Sequence, residues 1–152
     1  MEIIAYEMIL NKSINDLPLI SCIPFQKPYF EQYKRIYNEC FFDMRKALDI
    51  EPHNFLNNYE QIVDKSADIF LLVDKEEIIG SVACYGNEID DLIVNRKLQR
   101  RGYGKQLLLW AIWHIRERSN EPITLHVAAW NQGAIMLYER CGFEVVKTEK
   151  VR

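Results

Sequence analysis

The sequence predicts a single α+β domain built on one mixed sheet, and three observations carry that reading. Short apolar runs recur between turn residues, as strands do. Three of these runs (residues 68–74, 77–86 and 88–95) follow so closely that only tight antiparallel turns can join them. After them the order becomes helix, strand, helix, strand, which requires crossovers over a sheet face. With 152 residues the chain fits one domain, residues 1–152, large enough to bury about 68–70% of the surface its unfolded form exposes.

Each element has a local reason. EIIAYEMIL (2–10) and LPLISCIPF (17–25) read as two strands about a turn at 11–16. Pro28 suits a first helical turn, and residues 29–48 place Tyr33, Ile36, Tyr37, Phe41 and Met44 at helical spacing. EPHN breaks that helix, and 55–63 reads as a shorter second one. The three close strands turn at Lys75-Glu76 and Gly86-Asn87. Residues 103–118 form a helix, PITLHVAAW (122–130) a strand, 131–141 a helix stopped by Gly142, and FEVVKTEKV (143–151) a last strand. The 103–118 helix is apolar nearly all round, so beyond its core face it should meet the N-terminal strands.

Composition excludes several classes. A formal net charge of −3 argues against a nucleic-acid binder held by a bulk positive field. The four cysteines are far apart, without CxxC or paired histidines, so neither a zinc site nor a disulfide scaffold is expected. Free thiols in a reducing, cytoplasmic setting fit better. Glu2 and Glu7 interrupt the apolar start, which reads as a strand and not as a secretory leader. No apolar run reaches the ~18 residues of a membrane span. The expectation is therefore no metal, no nucleic acid and no membrane, for a monomer or homodimer.

One segment asks for a ligand. QRRGYGK, Gln99 to Lys105, places two glycines among cations directly before an apolar helix. A strand, a glycine loop and a helix start together present unpaired N–H groups to an anion, and glycine lets phosphate oxygens approach. Arg96, Lys97, Arg100, Arg101 and Lys105 add charge. The pattern is neither a P-loop, which ends GK[ST], nor a dinucleotide fingerprint, whose third glycine is Leu107 here. A tight left-handed turn with a solvated charge cluster is the alternative.

The next forty residues favour a ligand. LIVNRKLQRRGYGKQLL and LHVAAWNQGAIMLYERCGF together resemble the GNAT superfamily of acetyl-CoA-dependent N-acetyltransferases. The Q/R-x-x-G-x-G/A motif falls on Gln99, Gly102 and Gly104. The second signature falls on Asn131, Ala134, Leu137, Tyr138, Glu139, Gly142 and Phe143. The resemblance covers about residues 69–146, whereas the first 67 match in element order alone. It implies a mixed, mostly antiparallel sheet flanked by about four helices, and acetyl-CoA as co-substrate. Coenzyme A pyrophosphate would lie on the backbone of Arg100, Arg101, Gly102, Tyr103, Gly104 and Lys105. The pantetheine arm would run beside Leu92, Ile93 and Val94, where the family's sheet splays, with Asn131 and Ala134 near it.

Amide formation needs a neutral amine, a stabilised oxyanion and a thiol that departs protonated or as thiolate. The resemblance makes Tyr138 the acid; the plain alternative is an amphipathic-helix tyrosine with its hydroxyl at the surface. Asn131 is also a natural helix N-cap. The base has two candidates. Glu88 stands four residues before Leu92, as in histone-type members. His126 stands twelve before Tyr138, as in some ribosomal-protein N-terminal acetyltransferases. Alternation of Ile123, Leu125 and Val127 keeps His126 off the core face. Asp90 and Asp91 extend an acidic neighbourhood that could hold a cationic amine or simply face solvent. The expected reaction is acetyl transfer to a primary amine of a small molecule, with the helix pair at 29–63 as the pocket wall. A protein N-terminal or lysine acetyltransferase, and a non-catalytic acyl-CoA sensor, are the alternatives.

Overall fold

A computed structural model describes residues 2–152. Seven strands form one sheet: β1 (Ile4–Leu10), β2 (Ile23–Pro24), β3 (Ile69–Asp74), β4 (Glu77–Tyr85), β5 (Glu88–Val94), β6 (Ile123–Ala128) and β7 (Glu144–Lys150). Their order is β2-β3-β4-β5-β6-β1-β7. Every neighbouring pair is antiparallel except β5 and β6. Three α-helices flank it: α1 (Phe30–Ala47), α2 (Tyr103–Arg116) and α3 (Gln132–Arg140).

The central strand β4 is buried on both faces from Ile78 to Cys84, so its alternate residues serve two cores. On one face Phe30, Tyr33 and Ile36 of α1 pack on Ile69, Leu71, Ile78 and Ile93. On the other, Leu107, Leu108 and Ala111 of α2 join Ile79, Val82, Ile89 and Leu125, with Ile135 and Tyr138 of α3. Gly80 lets α2 lie against the sheet, since a Cβ there would sit 2.7 Å from the Ile93 carbonyl oxygen and 2.7 Å from Leu107 Cδ1. The β3–β4 hairpin turns through Lys75 (φ 50°) and Glu76 (φ 65°), the paired left-handed backbone of a two-residue turn.

Two sequence expectations fail. The strand at 17–25 shrinks to Ile23–Pro24. Pro18 and Pro24 lack donors, and Leu17 and Leu19 are strongly exposed, so their apolar character does not report a ladder. The helix at 55–63 is replaced by two 3₁₀ segments, Tyr59–Gln61 and Val63–Asp68. Side chains satisfy that backbone before a helix can. Asn38 brackets Leu56, accepting from its N–H at 3.0 Å and donating to its carbonyl at 2.8 Å. The Gln61 amide oxygen accepts from the N–H groups of Asn57 and Asn58. Polar amides compete in this way with helical hydrogen bonds. As expected, α2 shares its core with the N-terminal strand residues Met8 and Leu10; the loop after β1 also reaches it, Leu19 N–H donating to Gln106 Oε1 at 2.7 Å, while Trp113 stays 42% exposed.

Candidate active site

The parallel pair β5–β6 opens almost as soon as it forms. Ladder partners are Glu88 with Thr124 and Ile89 with Leu125; from Asp90 onward the described residues show no further pairing between these strands. A cavity of about 620 Å³ occupies the opening. The splay that resemblance alone suggested is present.

The loop after β5 is built for an anion. Asn95, fully buried, caps the 3₁₀ turn Arg96–Leu98 by accepting from Lys97 N–H. Gln99 folds back and donates from Nε2 to the Val94 carbonyl at 3.1 Å, which pins the loop to the strand end. Arg100 (φ 65°) and Gly102 (φ 87°) then take left-handed backbone. The first helical hydrogen bond of α2 runs from Gln106 N–H to Gly102 O, so the amides of Tyr103, Gly104 and Lys105 remain free as first-turn donors. The surrounding charge is smaller than the five cations suggest. Arg96 donates to the Glu39 carbonyl and pairs with Asp43, and Lys97 pairs with Glu77. Arg100, Arg101 and Lys105 have no ion-pair partner among the described residues.

Leu92, Val94, Gln99, Arg100, Tyr103, Gly104, His126, Asn131, Ala134 and Tyr138 all line the cavity. The Ile93 side chain does not; it belongs to the α1 core, leaving only its backbone on the strand. Lys105 faces a second hollow with Lys12 and Arg140, while Arg101 and Gly102 stay outside the lining. Asn131 caps α3, accepting from Ala134 N–H at 3.2 Å.

Tyr138 is 9% exposed, and no protein group hydrogen-bonds its hydroxyl among the described residues. Burial, then the charges of Asp90 and Asp91, pushes its phenol up to about 12. It therefore keeps its proton as a donor across the neutral range.

The two candidate bases touch. His126 Nδ1 lies 3.0 Å from Glu88 Oε2. In the neutral imidazole, a carboxylate acceptor at this distance places the hydrogen on Nδ1 and leaves the lone pair on Nε2. Glu7 and Glu149, on β1 and β7, approach the same imidazole; their oxygens and a ring nitrogen lie within 4.8 Å of one another. These groups could hold a cation, although Lys147 pairs with Glu149 at 3.3 Å.

The expected wall is present in its first half only. Tyr37, Phe41, Met44 and Arg45 of α1 close the far side, whereas nothing from 55–63 lines it, so the wall is one helix and not a pair. Tyr33, Tyr37 and Phe41, four residues apart on one helix face, were the available signal. Asp91 also turns inward: β5 carries a bulge opposite Val82, with Asp91 at φ 47°. Burial and the Asp90 charge raise its carboxyl to about 7.

Comparisons with known proteins agree with this geometry. The family model described as Acetyltransferase (GNAT) family matches residues 30–143. A mycothiol acetyltransferase of Corynebacterium glutamicum is 30% identical over 92 residues, covering 57% of this chain. The chain spans about a third of that relative's length (32%). An uncharacterized N-acetyltransferase of Methanocaldococcus jannaschii is 24% identical over 151 residues, 91% of this chain and 63% of that protein. Among solved structures, a GNAT-family acetyltransferase of Colwellia psychrerythraea superposes with TM-score 0.75 at 12% identity, over 97% of this chain and 54% of that one. The ribosomal-protein-S18-alanine N-acetyltransferase of Escherichia coli gives 0.64 at 19%, over 84% and 79%.

Proposed function

The chain belongs to the GNAT acetyltransferase family, and from that premise we propose that it transfers an acetyl group from acetyl-CoA to a primary amine of a small molecule. The observation that carries the proposal is the cavity between the splayed ends of β5 and β6. Free amides and the unpaired Arg100 stand at its mouth, and Tyr138, a buried residue whose hydroxyl has no protein partner among the described residues, lines it.

The residues fit coenzyme A. The amides of Tyr103, Gly104 and Lys105 face the pyrophosphate, and the freed edge of β5 from Asp90 offers backbone to the pantetheine amides. In the transfer, the neutral amine nitrogen attacks the acetyl carbonyl carbon and the C–N bond forms. The tetrahedral centre then collapses and the C–S bond breaks. The extra proton on nitrogen passes to Nε2 of His126, whose orientation Glu88 holds. The leaving sulfur takes the Tyr138 proton, which solvent restores. The products are an N-acetyl amine and the free thiol. An amine arriving protonated loses one more proton first, which His126 or water accepts.

The wall that Tyr37, Phe41, Met44 and Arg45 raise along one side of the cavity supports a small acceptor over a protein chain, which needs an open groove. Following thiol release from acetyl-CoA with small primary amines, and separately with peptides bearing free N-termini or lysines, tests the reading. Release with small amines is the expected result. Release confined to peptides would replace the substrate class, and tight acetyl-CoA binding without release on any amine would indicate a sensor.

A further inference from the structure

The acceptor side of the cavity carries more negative charge than proton transfer requires. Asp90 and Asp91 both line it, and neither forms an ion pair among the described residues. No described cation pairs with either, although the unpaired Arg100 lines the same cavity from the loop before α2. Arg45 donates to the Pro52 carbonyl at 3.0 Å and lies 4.7 Å from the Phe55 ring. His126 is held by Glu88. Lys65 acts on both aspartates through its charge without pairing.

The surroundings favour an organic cation. Asp91 occupies left-handed backbone at the β5 bulge, a position that a non-glycine residue keeps only when the structure around it enforces it. The charge of Asp91 acts on the phenols of Tyr33, Tyr37 and Tyr85. Tyr37 and Phe41 present aromatic rings to the cavity itself. Tyr138, about nine-tenths buried, lines the cavity with a hydroxyl that lacks a protein partner among the described residues. An unpaired carboxylate shielded from water is costly. An ammonium offsets that cost, and aromatic faces attract the same charge.

Resting on the acetyl-transfer reading, we propose that the acceptor is an aliphatic diamine or polyamine. One terminal nitrogen, uncharged, reacts beside Tyr138. A second ammonium is held by Asp91, with Asp90 at the rim and Tyr37 and Phe41 around its methylenes. That second group takes no part in bond making. It supplies binding and orientation, so a monoamine lacks the anchor and an amino acid would set a carboxylate against Asp91.

Calorimetry on the protein saturated with CoA, which binds without an acetyl group to transfer, isolates this anchor. Titrating 1,4-diaminobutane, butylamine and 4-aminobutanoate should give the diamine an affinity at least about tenfold above butylamine, with 4-aminobutanoate weakest. In Asp91→Asn, which tolerates left-handed backbone, the diamine advantage should shrink to about twofold or less. Asp90→Asn, at a more exposed carboxylate, should shrink it less. Equal affinities for diamine and butylamine in the wild type, or an undiminished preference in folded Asp91→Asn, overturn the proposal. Parallel turnover with acetyl-CoA separates the two readings. Asp91-dependent diamine binding without any acetylation would sink acetyl transfer and leave the anchor. Acetylation of butylamine and diamine alike, with indifferent binding, would sink the anchor and leave acetyl transfer.

Discussion

Replacing Asp91 with asparagine should stabilise the ligand-free protein, and only at neutral and alkaline pH. The folded state raises this carboxyl from 3.8 to about 7 through burial and the neighbouring Asp90 charge. Between those values the folded chain holds a proton that the unfolded chain has released, so stability falls as pH rises from about 4 to 7. Above pH 7 the full penalty is present. A rise of that size corresponds to about 4 kcal/mol. Residual solvent contact and the charge shared with Asp90 reduce this to about 2–3 kcal/mol. Asparagine keeps the shape and accepts φ near 47°, so the substitution removes charge with little added strain. For a domain of this size that is a gain of roughly 5–10 °C in Tm at pH 8, fading toward zero below pH 4. Thermal unfolding at several pH values from 4 to 8 measures it. A variant less stable than wild type at pH 8, or an equal difference at pH 4 and pH 8, would refute the reasoning. The sign also matters for function, because the residue that would anchor an amine is one that the empty fold pays to keep charged.

Other perturbations test the fold and the site separately. Gly80→Ala forces a Cβ to within 2.7 Å of a backbone oxygen that cannot yield, so it should lose about 1–3 kcal/mol in denaturant titration; an unchanged midpoint would show that α2 does not sit so close. His126→Ala should lower turnover at neutral pH and recover as pH rises and the acceptor deprotonates in solution. Because His126 and Glu88 are hydrogen-bonded, Glu88→Gln added to His126→Ala should cost little more; fully additive losses would show that they act independently. Gly102→Val places a β-branched residue at φ 87°, costing about 1–2 kcal/mol in strain and weakening acetyl-CoA binding in calorimetry. Unchanged affinity in a folded variant would remove the phosphate site from this loop.

Much of the scaffold was legible because local chemistry dictated it. Lys75-Glu76 and Gly86-Asn87 marked hairpins that the backbone adopts at those positions. Asn131 announced the start of α3, and alternation placed His126 outward while Ile123, Leu125 and Val127 went to the core. What stayed hidden depends on contacts far apart in the chain. The 55–63 segment has helical spacing, yet Asn38, 18 residues from Leu56, determines its backbone. Leu17 and Leu19 look like strand residues, but Pro18 between them offers no ladder donor and they stay in a loop, in water. Glu88 and His126 read as competing bases because their 38-residue separation conceals the parallel register that brings them together. The inward turn of Asp91 likewise follows from a one-residue bulge against β4, which no local pattern announces.

Tyr138→Phe tests most directly whether this cavity performs acetyl transfer. The change preserves the ring, which packs edge-on against Phe143 at 6.1 Å, and removes only the hydroxyl, for which the protein itself supplies no partner. The lost hydrogen bond strengthens as charge builds on the departing sulfur, so kcat and kcat/KM should fall together. General acid assistance is worth about 10²–10⁴-fold, with the lower end expected for a thiol leaving group. Acetyl-CoA affinity by calorimetry should stay within about threefold, less than 1 kcal/mol. Steady-state rates with an acceptor amine, set beside that affinity, decide the matter: a turnover loss near a hundredfold with binding intact is the predicted result, and wild-type turnover would contradict it.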